Sequence, residues 1–136
     1  MYDRAALLAQ LKIDEGVRLL PYRDARGNLT IGIGTNLDAG ITEPEAESLC
    51  YSRIAAAETA LAQSVPWWRD LDDARQMAVA NLCYNMGINT LLEFKNMLAA
   101  LHAGDFDGAA DDLLASKYAT QVGARAQRIA ELIRTG

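Results

Sequence analysis

The chain has 136 residues, half of them apolar and about a quarter charged, with a net charge of −5. That length builds one ordinary globular domain without disulfides or metals, and the composition excludes disorder and a membrane-spanning segment. The acidic balance argues against non-specific nucleic-acid binding, which needs a basic stripe to displace counterions. It is uneven, however: residues 117–136 carry +3 through Lys117, Arg125, Arg128 and Arg134 against Glu131, leaving −8 on the first 116.

In chain order, residues 3–14 read as a helix with Asp3 as N-cap, an inward stripe of Leu7, Leu8 and Leu11, and Gly16 as its stop. From Val17 to Leu37 the pattern turns to short β segments. A polar turn at Ala25–Asn28 is followed by alternation in "LTIGIG", with Thr30, Gly32 and Gly34 on one face. Thr42 and Glu45 form a capping box at the start of a helix expected over 42–62, ending before Pro66 and joining two lobes. "LDDARQMAVANLCYNMG" is apolar on nearly every side, the pattern of a central buried helix closed by Gly87. Thr90 with Glu93 predicts a second capping box for a helix ending at Gly104, and 105–114 and 124–134 supply two more. The fold class is therefore α+β, mostly helical: a small N-terminal α+β lobe (about 13–45) carrying a β-hairpin, and an all-α lobe (about 63–136, with the N-terminal helix).

Cys50 and Cys83 lie in apolar helical segments and read as buried free thiols acting as small hydrophobes. With His102 as the one histidine, a zinc site has almost nothing to be built from, so no metal is expected. Glu15 falls on the stripe of Leu8 and Leu11 in the last turn of its helix. The partial negative charge of the helix end and partial burial there both disfavour an ionised carboxyl, as a general acid requires. Asp24 stands before the turn and Thr30 after it, so a hairpin brings them close. Glycine weakens a strand unless something approaches its backbone. The face of Thr30, Gly32 and Gly34 is thus expected to line a cleft with a bare main-chain floor. Two carboxyls at a cleft suit glycoside hydrolysis, in which one protonates the leaving oxygen and the other supports the cationic transition state or a water.

"DEGVRLLPYRDARGNLTIGIG", with "NLCYNMG", "FKNML" and "QVGARAQRIAELIRTG", resembles the tailed-phage lysozymes, the endolysin muramidases of glycoside hydrolase family 24, over nearly the whole chain. The resemblance implies a lysozyme-like fold and hydrolysis of the β-1,4 bond between N-acetylmuramic acid and N-acetylglucosamine, lysing the host without any cofactor. It makes Glu15 the proton donor, and Asp24 with Thr30 the residues that place water on the opposite face of the sugar. Arg125 matches an arginine that approaches the acid and opposes the effect of burial on it. Tyr84, Asn85, Tyr118 and Gln121 match positions that line the substrate cleft; with Arg125 and the glycines of the bare face, Gly32 and Gly34, they are the expected substrate-binding residues. Thr35 and Asn36 replace a common histidine, Tyr118 a usual tryptophan, and the loop 36–41 is short. The substrate is then bacterial peptidoglycan, with no nucleic acid or stable membrane association, and the chain is expected to be a monomer. With no secretory signal read at its start, it is expected to be made in the host cytoplasm and to need a holin-type permeabiliser to reach the periplasmic wall. The alternatives are a lytic transglycosylase, which forms anhydro-muropeptides, and an inactive wall-binding module.

Overall fold

Asp3 accepts a hydrogen bond from the Ala5 amide at 2.9 Å through its carboxylate, starting helix α1 (Arg4–Glu15), and Gly16 ends it. This is the cap read from the sequence. A computed structural model describes residues 1–136. Its contacts divide the chain into two compact units, Met1–Ser48 and Leu49–Gly136. The lysozyme-like, mostly helical α+β class is the one observed, with eight α-helices and one three-stranded sheet. No helix is long and apolar enough to cross a membrane.

In the first unit, strands β1 (Arg18–Arg23), β2 (Leu29–Gly32) and β3 (Thr35–Asn36) form an antiparallel sheet in the order β1-β2-β3. The β1–β2 register shifts between Arg18 and Tyr22, a stretch that includes Pro21. Proline has no amide to give the ladder, so it sits where the pairing is irregular on an edge strand. Two expectations need correction. The alternation read through Gly34 stops at Gly32, because the chain turns at Ile33 and Gly34; Gly32 and Gly34 have φ of +71° and +67°, which break a strand. The leucine stripe of α1 is not inward either: Leu7, Leu8 and Leu11 are 37–45% exposed, and no α1 residue is buried.

Helix α2 (Glu43–Ser64) begins with the expected capping box: Thr42 donates from its amide to Glu45 Oε1 at 2.9 Å, and the Glu45 amide donates to Thr42 Oγ1 at 3.3 Å. At 22 residues it is about 33 Å long. The second unit continues with a 3₁₀ turn (Pro66–Asp70) and helices α3 (Asp73–Met86), α4 (Ile88–Leu92), α5 (Lys95–Ala103), α6 (Phe106–Leu114), α7 (Lys117–Val122) and α8 (Ala124–Thr135). Leu61, Val79, Leu82, Leu91, Met97, Leu101, Leu113, Ile129 and Ile133 are its fully buried large side chains.

Three readings change here. Thr90 lies inside α4 and Glu93 at its C-terminus, so the second capping box does not form, and Phe94 precedes α5 instead. Helix α3 buries Ala78, Val79, Leu82 and Cys83 but leaves Met77 61% exposed, so it is buried on one side only. Helix α7, capped by Ser116 Oγ accepting from the Ala119 amide at 3.2 Å, was not read from the sequence.

Candidate functional site

Asp24 occupies the turn between β1 and β2. Its Oδ1 accepts the backbone amides of Arg26 at 2.9 Å and Asn28 at 2.8 Å, and its own amide donates to the Asn28 carbonyl at 2.9 Å. The Asn28 amide foremost, against a smaller effect of burial and helped by the Arg26 amide, holds the Asp24 carboxyl below its ordinary pKa. Asp24 is therefore an anion at any mildly acidic or neutral pH. Its Oδ2 has one weak partner, the Asn28 side-chain amide at 3.4 Å, and so is the freer oxygen.

Thr30 pairs with Tyr22 on one side and Asn36 on the other, and it is the only buried residue of the first unit, at 3% exposure. Its hydroxyl donates to the Asn28 carbonyl at 2.9 Å. The proton is thus committed, and the oxygen lone pairs remain as acceptors. Asn28 touches both residues, through its amide to Asp24 and its carbonyl to Thr30. The sequence reading missed this link, although an asparagine four residues after an aspartate in a short polar turn is a signal for it.

Glu15 is the exposed last residue of α1. The turn glycine Gly34 leaves room for it: a Cβ built there would lie 2.6 Å from Glu15 Oε2 and 2.8 Å from its carboxyl carbon. The close approach that the glycines of "TIGIG" implied is thus made by the Glu15 carboxyl at Gly34. Gly32 has nothing within 4 Å of such a Cβ. The partial burial expected for Glu15 is absent.

The remaining candidates lie in the second unit. Tyr84 and Arg125 line one groove of about 690 Å3, together with Cys50, Ile54, Trp68 and Met77; Asn85, Tyr118 and Gln121 do not line it. Tyr84 is 44% exposed, and Asn85 and Gln121 are exposed on α3 and α7. Tyr118 is 9% exposed, meets Phe94 edge-on at 6.5 Å, and has a buried hydroxyl without a hydrogen-bond partner.

The Cys50 thiol beside Tyr84 raises the pKa of that phenol, and burial raises that of Tyr118; in each case the Arg125 charge pulls the other way. Arg125 donates from Nε and Nη2 to Asn81 Oδ1, at 3.1 and 2.7 Å. Asn81 was also missed, although a polar side chain one helical turn before Tyr84 in an apolar run marks a shared face. Both cysteines are free; Cys83 is buried, and burial pushes its thiol up, which suits packing and not a nucleophile.

Residues 12–134 match the family model described as phage lysozyme. Among curated proteins, the probable T4-type lysozyme 1 of Dictyostelium discoideum is 29% identical, over 93% of this chain and 92% of that protein. The probable T4-type lysozyme 2 of the same organism is 28% identical, over 97% and 95%. The pre-baseplate central spike protein Gp5 of Enterobacteria phage T4 is 29% identical over 96% of this chain, which spans 28% of that protein's length. The chain belongs to the phage lysozyme family, a family of peptidoglycan-hydrolysing glycosidases.

Proposed function

We propose that the chain is a muramidase that hydrolyses the β-1,4 bond between N-acetylmuramic acid and N-acetylglucosamine, Glu15 protonating the leaving oxygen. One observation carries the reading: the same compact unit holds one carboxylate fixed by backbone amides in a turn and a second carboxyl seated at a bare turn glycine. Asp24 is fixed as an anion by two backbone amides. Glu15 ends α1 with its carboxyl against Gly34, where a Cβ would lie 2.6 Å from Glu15 Oε2. Glycoside hydrolysis uses two carboxyls, one to give a proton to the leaving oxygen and one to act as an anion. In this reading Asp24 takes one proton from the water, and Thr30, its own proton committed to Asn28, accepts a hydrogen bond from the hydrogen that stays on the attacking hydroxyl. Attack from the face opposite the leaving group gives a product of inverted anomeric configuration.

The test is product analysis of purified peptidoglycan by mass spectrometry with a reducing-end assay. New reducing ends and no anhydro-muropeptides are expected. Anhydro ends alone would replace hydrolysis by transglycosylation, in which the sugar's own hydroxyl attacks and Asp24 has no water to activate.

Gly34 supplies a second test. Both Gly34→Ala and Gly40→Ala put a side chain on positive-φ backbone, at +67° and +78°, a strain of about 1–2 kcal/mol in each case. Only at Gly34 would the new Cβ meet the Glu15 carboxyl, since nothing lies within 4 Å of a Cβ at Gly40. Gly34→Ala is therefore expected to lower the initial rate of wall clearing by about tenfold or more relative to Gly40→Ala, at similar unfolding midpoints. Equal rates would show that the position of Glu15 is immaterial.

A further inference from the structure

Arg125 is the second residue of α8, a helix with no acidic residue in its first turn. The helix N-terminus is the positive end of the backbone dipole, where a cation is disfavoured and an aspartate or glutamate is the stabilising choice. The other half-buried arginines of this unit are placed for stability. Arg134, in the last turn of α8, meets Asp107 at 3.4 Å and Asp111 at 3.0 Å. Arg75 meets Asp72 at 2.7 Å and donates to the Ile133 and Arg134 carbonyls at the end of α8. Within the same unit Arg125 has no carboxylate partner, and a neutral amide oxygen, Asn81 Oδ1, takes two of its hydrogens. A guanidinium carries five N–H donors, so three remain, with the full positive charge.

We infer that Asn81 is a positioning residue: it fixes the Arg125 guanidinium without neutralising it, so that a complete charge and three oriented donors face a carboxylate. The inference rests on the proposed muramidase reading, in which the chain's substrate is the peptidoglycan wall. An aspartate at 81 would hold the fork as well or better, since a charge-assisted bidentate pair is the stronger bond, but it would cancel the charge. An alanine would leave the charge and release the fork. The carboxylate served belongs to the wall, which carries carboxylates on its stem peptides.

Asn81→Asp and Asn81→Ala are compared with the parent chain for thermal unfolding, kcat and KM on native peptidoglycan and on peptidoglycan whose carboxyls have been converted to methylamides. Asn81→Asp is expected to unfold no earlier than the parent while losing about tenfold or more in kcat/KM; Asn81→Ala unfolds earlier but loses only about threefold. Stability and activity thus rank the two variants in opposite orders, which a merely structural asparagine would not produce. A loss in KM that vanishes on the amidated wall assigns the carboxylate to the substrate. A loss of equal size on both walls overturns the inference, since the charge then serves no carboxylate of the wall. Asn81→Asp with parental activity, or activity that tracks unfolding temperature in both variants, overturns the inference while the muramidase reading stands. A parent chain that leaves both walls uncut overturns both.

Discussion

A chain carrying Glu15→Gln is expected to bind peptidoglycan and leave it uncut, with turnover lower by about 10³-fold or more. The glutamine has the shape of the glutamate and nearly its helix propensity, so α1 keeps its last turn. Its amide fits over Gly34, where no Cβ competes for the space. Position 15 is exposed, so the unfolding midpoint should stay within about 2 °C of the parent. What the variant lacks is a proton to give. Without it the departing sugar leaves as an alkoxide, and the barrier rises by the whole contribution of general acid catalysis. Co-sedimentation with insoluble wall reads binding, and release of reducing ends reads turnover. Retained binding with lost turnover is the expected result; a variant with near-parental turnover would move the proton donor away from position 15.

Features that depend on a few neighbouring residues were legible in the sequence. The Asp3 cap, the Thr42–Glu45 box and the stops at Gly16, Gly87 and Gly104 formed as read, because each is settled within one turn of helix. The misreadings arose where a local signal had a rival. Thr90 and Glu93 have the spacing of a capping box, but Gly87 precedes α4 early enough for Thr90 to be taken into that helix. The alternation of "TIGIG" has the period of a strand, but its glycines permit the positive φ that ends one. Helix α7 has only six residues, too few to display a period.

At the candidate site, the motif singles out Glu15, Asp24 and Thr30, whereas the environment of each was not legible. Burial depends on what packs over a residue, and sequence spacing gives only the face it shares. Glu15 is accordingly exposed and Thr30 buried, the reverse of a picture with Thr30 at a cleft rim. Asn28 and Asn81 escaped notice for a related reason. Each acts by holding another side chain, and a holding residue is recognisable only once the held atom has a position.

Asp24→Asn separates the two duties of Asp24, closing the turn and carrying charge. The asparagine oxygen can still accept the Arg26 and Asn28 amides that Oδ1 now holds at 2.9 and 2.8 Å, so the turn should close as before. On the other side its amide nitrogen would meet the Asn28 side-chain nitrogen, 3.4 Å away, a clash of donors that a flip of the Asn28 amide relieves. Only the charge is then lost, and with it the means to take a proton from water or to oppose a cationic transition state. Turnover is expected to fall by about 10²-fold or more with little change in KM, because a group that acts in the transition state contributes little to ground-state binding. Stability carries a signature of its own. A carboxyl whose folded pKa lies below its unfolded one adds stability above the unfolded value, and that stability fades as pH falls through the folded value. The variant should therefore unfold earlier than the parent at neutral pH, with the gap closing as both are acidified below the ordinary carboxylate range. If the gap closes in this way while turnover stays near the parent's, Asp24 serves the turn alone, and the water-activating role passes to another group.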